Sequence, residues 1–157
     1  MVCKKCIESP VIKLPNSEVS LCKSCFVKYF EKKVFKTIRI YKLVEKNDHI
    51  GVAVSGGKDS TALLYILNKL IKKRKGSRLT AIAIDEGIKG YRDVSLDFLK
   101  NFCNKYKIDL KIFSYEANFW KTLDSILDAK KNIIPCYICG VFRRYVLNKN
   151  SKELGFT

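Results

Sequence analysis

The segment that most constrains the fold runs from Ile50 to Ser60 and reads Ile-Gly-Val-Ala-Val-Ser-Gly-Gly-Lys-Asp-Ser. Its apolar start predicts a buried parallel strand. Ser55, Gly56 and Gly57 interrupt that strand, and apolar residues at helical spacing follow. Paired glycines let the backbone turn sharply, so that several N–H groups and the positive end of the helix dipole face one point. The segment therefore predicts an anion site, most naturally for phosphate.

Side chains of the same segment add to this site. Lys58 can supply a positive charge, and the hydroxyls of Ser55 and Ser60 can donate hydrogen bonds. The plainer interpretation is a tight strand-to-helix turn capped by Ser60. The spacing of a Walker loop, G-x-x-x-x-G-K-[ST], is absent. The hexapeptide Ser-Gly-Gly-Lys-Asp-Ser instead resembles the PP-loop of the ATP pyrophosphatases, which split ATP between the α- and β-phosphates and adenylate a substrate.

Composition limits the class of protein. The chain has 157 residues, which is enough for one ordinary domain, or for a small domain and an incomplete larger one. Its net charge of +16 favours a polyanionic partner such as RNA or DNA, although a lysine-rich surface can also reflect the host's composition. No apolar run is long enough to span a membrane and no signal peptide is evident, so we expect a cytoplasmic protein with no membrane partner.

Four N-terminal cysteines form two Cys-x2-Cys pairs, and the seven cysteines of such a chain indicate metal or redox chemistry rather than disulfides. Two such pairs separated by 15 residues are typical of a structural Zn²⁺ site with four thiolates. A redox dithiol pair and an iron site are the alternatives. We predict a zinc ribbon over residues 1–26, with a short hairpin between the pairs, whose ligands are Cys3, Cys6, Cys22 and Cys25.

A basic helix is predicted next, from Phe26 to Lys46, where apolar residues recur at helical spacing. We assign residues 27–47 to this connecting element. One interpretation is an amphipathic helix with a solvated outer face; the other adds RNA-phosphate contacts through Lys32, Lys36 and Arg39. His49, the single histidine, is interpreted as structural.

The remainder, residues 48–157, alternates between strand and helix signals, which predicts an α/β fold with a Rossmann-type parallel sheet. Strands are predicted over 50–54, 79–84 and 110–114, and helices over 60–73, 94–106, 120–130 and 139–154. Ligands of such sheets bind beyond the carboxyl ends of the strands. Asp85 and Glu86 are either ribose or Mg²⁺ ligands or ordinary loop acids. The predicted ATP-binding residues are Ala53, Val54, Ser55, Gly56, Gly57, Lys58, Asp59, Ser60, Ile84 and Asp85.

A third Cys-x2-Cys pair, Cys136 and Cys139, lacks a second pair beside it in the sequence. It is consistent with a redox dithiol, a persulfide carrier or part of an iron–sulfur site, and the alternative is a buried structural pair. Arg143 and Arg144 follow, making the surroundings electropositive and attractive to RNA. Cys103, in the middle of a predicted helix, is interpreted as a small core residue.

In combination and in order, these motifs resemble the tRNA 2-thiolation enzymes of the PP-loop superfamily, in their N-terminal portion. The resemblance implies ATP and Mg²⁺ at Ser55–Ser60, with Lys58 and Asp59 among the catalytic residues. The uridine O2 would attack the α-phosphate, and pyrophosphate would leave. Sulfur delivered at Cys136 and Cys139 would then attack C2, and AMP would depart.

The resemblance also implies cofactors and partners. In many family members the two cysteines and a third, later one hold a [4Fe–4S] cluster; persulfide chemistry is the rival account. Sulfur donors are ubiquitin-like sulfur carrier proteins or inorganic sulfide, and a homodimer is expected. This chain has no cysteine after Cys139 and no Gly-His-Asn-like motif. We therefore expect a fragment or one half of a split enzyme, with an α/β domain incomplete at its C-terminus, which binds zinc and binds ATP weakly but does not thiolate tRNA alone.

Two other functions remain open on the residues alone. One is a zinc-ribbon RNA-binding module whose α/β part is catalytically inactive. The other is a different PP-loop tRNA ligase, such as a lysidine-type enzyme, which has no evident need for Cys136 and Cys139.

Overall fold

The computed structural model describes residues 2–129 and 134–157, which form two compact units. The first unit ends at Glu45, and the second runs from Lys46 to Thr157. Each has its own buried cluster, one around Leu21 and the other around Tyr115. No helix in the described part of the chain is long and apolar enough to cross a membrane.

The first unit contains the predicted hairpin, which is confirmed. Strand β1 (Ile12–Lys13) pairs antiparallel with β2 (Ser20–Leu21), with Ile12 opposite Leu21. Leu21 is fully buried against the thiols of Cys3 and Cys22. Helix α1 (Lys23–Ile40) begins directly after Cys22, so the second cysteine pair lies at a helix start.

Helix α1 is shorter than predicted, because it ends at Ile40 and not at Lys46. The N–H of Leu43 donates to Ile38 and that of Lys42 to Arg39, with Lys42 at φ 48°. This is the hydrogen-bond pattern of a Schellman motif, which satisfies the last carbonyl groups and turns the chain out of the helix. The sequence pattern predicted a helix beyond Ile40, but the left-handed conformation of Lys42 ends it.

The second unit contains the predicted parallel sheet, with strand order β3-β4-β5. These strands are β3 (His49–Ala53), β4 (Arg78–Asp85) and β5 (Asp109–Ser114). The central strand β4 is the most buried, as its run of Ala and Ile residues requires. Helix α2 (Lys58–Ile71) connects β3 to β4, and α3 (Arg92–Tyr106) connects β4 to β5. The predicted burial of Cys103 in α3 is confirmed, since it is 1% exposed.

The C-terminal helices differ from the prediction. The helix predicted over 120–130 is present in its described part as α5 (Leu123–Ala129), which begins three residues later than predicted. A short helix that was not predicted, α4 (Tyr115–Phe119), precedes it and ends at Trp120, whose φ of 57° is left-handed. The end of that predicted helix, Lys130, lies outside the described residues. Helix α6 (Pro135–Glu153) begins four residues earlier than predicted, with Pro135 in its first turn, where a missing N–H removes no helical bond.

The last residues lie against the outer edge of β3. The N–H of Thr157 donates to the carbonyl of His49 at 3.1 Å, and the N–H of His49 donates to the Thr157 hydroxyl at 3.0 Å. The ring of Phe156 meets the His49 ring edge-on, with centroids 4.7 Å apart. His49 also contacts the Thr80 hydroxyl through Nε2 at 3.0 Å, which fits its predicted structural role.

Candidate functional site

The phosphate-binding loop, defined here as Ser55–Ser60, joins β3 to α2. Gly56 has φ 88°, a conformation that favours glycine, and a side chain there would also press on Ser95 at 3.1 Å. Gly57 is the N-cap of α2 and Lys58 its first residue, so Ser60 does not cap the helix. The free N–H groups of the first turn therefore open beside the end of β3.

Hydroxyl groups within the loop close it on itself. The Ser60 hydroxyl accepts a hydrogen bond from the N–H of Ser55 at 3.3 Å and donates to the Gly57 carbonyl at 3.1 Å. The Ser55 hydroxyl accepts from the N–H of Gly57 at 3.3 Å. Thr61 adds a bond from its hydroxyl to the same Gly57 carbonyl at 2.8 Å. These contacts hold the loop in one conformation next to the sheet.

A cavity of about 210 Å³ lies at the carboxyl ends of β3 and β4. This is the position where ligands bind in open α/β sheets. Gly56, Gly57 and Asp85 are not among its lining residues, and Lys58 and Asp59 have exposed side chains outside the lining. Asp85 instead accepts a hydrogen bond from the N–H of Gly87 at 2.9 Å. Half of the predicted ATP-binding residues line the cavity, namely Ala53, Val54, Ser55, Ser60 and Ile84.

Glu86, also at the cavity wall, is held between two arginines. Its side chain is 5% exposed, and its two carboxylate oxygens contact Nε of Arg92 and Nε of Arg143, each at 2.9 Å. A second nitrogen of Arg143, Nη2, lies 2.8 Å from the same carboxylate. Arg92 is equally buried and also donates to the carbonyl of Ser55 at 2.9 Å. The group carries a formal charge of +1 facing the cavity, which favours an anionic ligand.

Arg143 connects this carboxylate to a cysteine. Its Nη2 atom lies 3.1 Å from the sulfur of Cys139. Burial lowers the pKa of Arg143, but the nearby charges of Glu86, Cys139 and Tyr115 and the hydrogen bond to Glu86 together outweigh burial, so the pKa is raised above its usual value. Arg143 therefore stays charged while it contacts both groups.

Tyr115 fixes the backbone beside the same sulfur. It is fully buried, and its hydroxyl donates to the carbonyl of Cys139 at 2.8 Å. Burial is the main cause that raises the pKa of Tyr115, so the hydroxyl keeps its proton and remains a donor. Cys139 itself is 9% exposed, whereas Cys136, one turn earlier on α6, is exposed.

Sequence reasoning left out several of these residues. It named Glu86 only as a ribose or Mg²⁺ ligand or a loop acid, and the structure places it in ion pairs instead. It gave no role to Arg92 or Tyr115. Arg143 could be recognised in the sequence as a basic residue close to the cysteine pair. Its contact with Glu86, however, spans 57 residues and has no local pattern that would predict it.

The N-terminal cysteines form a separate candidate metal centre. Their four sulfur atoms lie within 4.8 Å of one another, and Cys6 is 3.4 Å from Cys22 and 3.7 Å from Cys25. Zn–S bonds of about 2.3 Å in a tetrahedron place sulfur atoms roughly 3.8 Å apart, so the cluster fits a zinc ion. Hydrogen bonding from the backbone at Cys22 lowers the pKa of Cys3 to about 6.

No other group of three metal-ligating side chains occurs within residues 2–129 and 134–157. Cys136 and Cys139 provide two thiols, which fit part of the ligand set of an iron–sulfur cluster.

The predicted RNA-binding residues are all exposed. One of them, Arg143, also contacts Glu86 and Cys139. Those on α1, which are three or four residues apart and so lie along one face, are Lys32, Lys36 and Arg39.

Comparison with known proteins places this site in context. A family model described as the PP-loop domain matches residues 28–131. Cytoplasmic tRNA 2-thiolation protein 1 of Drosophila pseudoobscura pseudoobscura is 42% identical over 155 residues, which are 97% of this chain and 45% of that protein. A probable sulfurtransferase of Methanocaldococcus jannaschii is 41% identical over 140 residues, 86% of this chain and 41% of its own. The chain therefore spans about half the length of the curated relatives it matches.

Comparison with solved structures also finds a tRNA thiolase. The U34-tRNA thiolase NcsA of Methanococcus maripaludis, solved with its [4Fe–4S] cluster, matches with a TM-score of 0.86 and 36% identity, over 99% of this chain and 51% of its own. The NH3-dependent NAD synthetase of Campylobacter jejuni matches with a TM-score of 0.57 at 16% identity, which is a likeness of fold alone. The predicted resemblance to tRNA 2-thiolation proteins and the predicted fold are confirmed.

Proposed function

Because this chain belongs to the family of PP-loop domains, we propose that it binds ATP and adenylates a tRNA uridine for sulfur transfer to C2. One observation carries the proposal: the phosphate-binding loop and the sulfur-bearing helix α6 meet at one cavity. Ser55 and Ser60 line it from the loop, Arg143 lines it from α6, and Arg143 contacts the sulfur of Cys139. A nucleotide site and a sulfur site on the same cavity suit a reaction in which the uridine is first activated by adenylation and then substituted by sulfur at C2.

In the first step, the loop would bind the phosphates through its N–H groups and the dipole of α2. Lys58 and Asp59 begin α2, where the lysine can contact a phosphate and the aspartate can hold Mg²⁺. The uridine O2 forms a bond to the α-phosphorus while the bond to the bridging oxygen of the β-phosphate breaks. Pyrophosphate leaves with that electron pair, and the O2 atom becomes part of a good leaving group.

In the second step, a sulfur nucleophile forms a bond to C2, and the bond between C2 and O2 breaks as AMP leaves. Cys139 and Cys136 are the residues of this chain proposed to present that sulfur. Where it is the outer sulfur of a persulfide on one of them, the S–S bond breaks as the thiolate of the other cysteine attacks the inner sulfur, which leaves the two cysteines as a disulfide. If an iron–sulfur cluster is bound, these two cysteines would be two of its ligands, and the cluster would supply a site for sulfide. Arg143 and Tyr115 orient Cys139 from its side chain and its backbone.

Relatives support the choice of substrate. The Drosophila relative is named for cytoplasmic tRNA 2-thiolation, the Methanocaldococcus relative is a probable sulfurtransferase, and the similar solved structure is a thiolase of tRNA U34. A net charge of +16 suits a tRNA substrate. We extend the proposal to a cytoplasmic location, to a sulfur donor that is a ubiquitin-like carrier protein or sulfide, and to a homodimer. The basic residues proposed to contact tRNA phosphates are Lys32, Lys36, Arg39, Arg143 and Arg144.

Zinc is proposed as a structural cofactor of the N-terminal unit, held by Cys3, Cys6, Cys22 and Cys25. The sulfur distances fit a tetrahedral Zn²⁺ ion, and four thiolates leave no open position for catalysis.

Pyrophosphate release in the presence of tRNA and Mg-ATP tests the adenylation step. We expect release by the wild-type chain and a reduction of about 100-fold in Lys58→Ala, since removing a charge from a phosphoryl transition state has this effect. Lys100→Ala is the matched control, because Lys100 pairs on the surface with Asp97. If the wild-type chain binds tRNA and releases no pyrophosphate, the RNA-binding module without catalysis is the better account.

A further inference from the structure

We propose that Glu86, Arg92 and Arg143 are positioning residues that couple nucleotide binding at the loop to the accessibility of the Cys139 sulfur. The inference rests on the proposed function, because it takes ATP as the ligand of the loop. It adds a connection between the adenylation step and the sulfur-transfer step. Because sulfur transfer follows adenylation, we expect the Cys139 sulfur to be held in place once the nucleotide is bound.

The connection is a continuous series of polar contacts. The carbonyl of Ser55 accepts from Arg92 Nη1 at 2.9 Å. Arg92 Nε lies 2.9 Å from one oxygen of Glu86, a contact that is an ion pair and not an aligned hydrogen bond. The other oxygen of Glu86 accepts from Arg143 Nε at 2.9 Å. Arg143 Nη2 then contacts the sulfur of Cys139 at 3.1 Å. Loop and sulfur are thus joined through three side chains.

Burial makes this series stiff at its loop end. The side chains of Glu86 and Arg92 are each 5% exposed, so their charges have to remain paired with each other. A guanidinium group is planar and presents its donors in a fixed arrangement, so a shift at one donor moves the others. Ser95 further fixes Arg92, whose Nη1 atom lies 3.2 Å from the Ser95 hydroxyl.

The sulfur end is the adjustable one. The side chain of Arg143 is 47% exposed, which leaves it room to move. The hydroxyl of Tyr115 holds the backbone carbonyl of Cys139 at 2.8 Å and lies 3.7 Å from its sulfur. Arg143 makes the shorter contact with that sulfur, at 3.1 Å, so the position of the side chain depends mainly on Arg143. Cys136 has no place in the series and is exposed, which makes it an internal reference.

The expected effect of the ligand follows from these contacts. Phosphates bound by the loop would restrict the motion of Ser55. Because Arg92 and Glu86 connect Ser55 to Arg143, the motion of Arg143 would also be restricted. Local opening around Cys139, which is 9% exposed, would then become rarer. A bound nucleotide should therefore slow the alkylation of Cys139 relative to that of Cys136.

The test uses iron-free, zinc-loaded chain, N-ethylmaleimide, and Mg²⁺ with α,β-methylene ATP, which cannot be split between its α- and β-phosphates. Mass spectrometry follows alkylation at Cys139 and Cys136, and calorimetry establishes nucleotide saturation for each protein. Glu86→Gln breaks the series at its centre and keeps the cavity's shape. Arg143→Lys keeps the positive charge at a half-exposed position, but the single lysine amine cannot contact both Glu86 and Cys139. Glu153→Gln, an exposed carboxamide substitution on α6, is the control.

We expect the nucleotide to slow Cys139 alkylation by about fivefold or more in the wild-type and Glu153→Gln proteins. The slowing should fall below about twofold in Glu86→Gln and Arg143→Lys at equal saturation. Equal slowing in all four proteins would mean that the nucleotide merely shields the sulfur, and would overturn the proposal. So would a nucleotide that binds without slowing Cys139. A wild-type chain that fails to bind the nucleotide would overturn the proposed function, and this inference with it.

Discussion

Substitution of Gly51 by alanine is expected to destabilise the α/β unit, although alanine is ordinarily the better residue in a strand. A Cβ atom at Gly51 would lie 2.5, 2.6 and 2.9 Å from three ring carbons of Phe156. Carbon atoms pack best at about 3.5–4.0 Å, so the ring would have to withdraw by roughly 1 Å. Phe156 packs against the buried cluster that contains Tyr115, which limits that movement.

Overpacking of this kind costs about 1–3 kcal/mol, and we expect Gly51→Ala to lower the free energy of unfolding by that amount. Urea unfolding followed by circular dichroism measures the change. Gly140→Ala is the matched control: its Cβ would lie 3.7 Å from the Arg144 guanidinium, an ordinary contact, and it should stabilise α6 by up to about 1 kcal/mol.

The decisive comparison is a double-mutant cycle with Phe156→Leu. A smaller side chain relieves the overlap, so Gly51→Ala should cost at least about 1 kcal/mol less in that background. If the cost is the same with Phe and with Leu, Gly51 does not contact residue 156 and the packing argument is refuted.

Three further predictions follow from other contacts. Stripping zinc with a chelator should unfold the unit that ends at Glu45 and leave the sheet of the second unit intact, which residue-resolved hydrogen exchange would detect; zinc binding supplies about 10–16 kcal/mol in comparable small sites. Desolvation by burial lowers the pKa of His49 from 6.5, so the unfolded chain binds more protons and the free energy of unfolding should fall as pH drops through 6.5; His49→Gln should flatten this dependence in urea titrations at pH 7 and pH 5. Tyr115→Phe removes the bond to the Cys139 carbonyl and should cost about 1 kcal/mol by the same measurement, a loss absent in the exposed control Tyr137→Phe.

Local patterns were sufficient to predict the frame of the site. The apolar run before Ser55 predicted β3, and the paired glycines placed the loop at its end. The four cysteine sulfurs predicted to share an ion lie together, as their spacing indicated. In each of these cases the signal lies within a short stretch or a repeated spacing, which is why sequence alone sufficed.

Other features depend on contacts that no local pattern encodes. Trp120 and Lys42 take left-handed conformations that end helices, and neither is a residue type that signals such a turn. The role of Glu86 depends on Arg143, on a helix much later in the chain. An acidic residue after a strand has several common uses, and only the fold selects among them.

The hydroxyl contacts that close the phosphate-binding loop also set a threshold for occupancy. A ligand that takes the N–H groups of Ser55 and Gly57, in addition to the free N–H groups of α2, has to exchange the loop's bonds there for bonds of its own. Each exchange changes the free energy by only about 1 kcal/mol, so an anion that replaces one bond gains little. A phosphate chain delivers several oxygens together and replaces the whole set. The closed loop should therefore favour a ligand with several phosphate oxygens over a small monovalent anion.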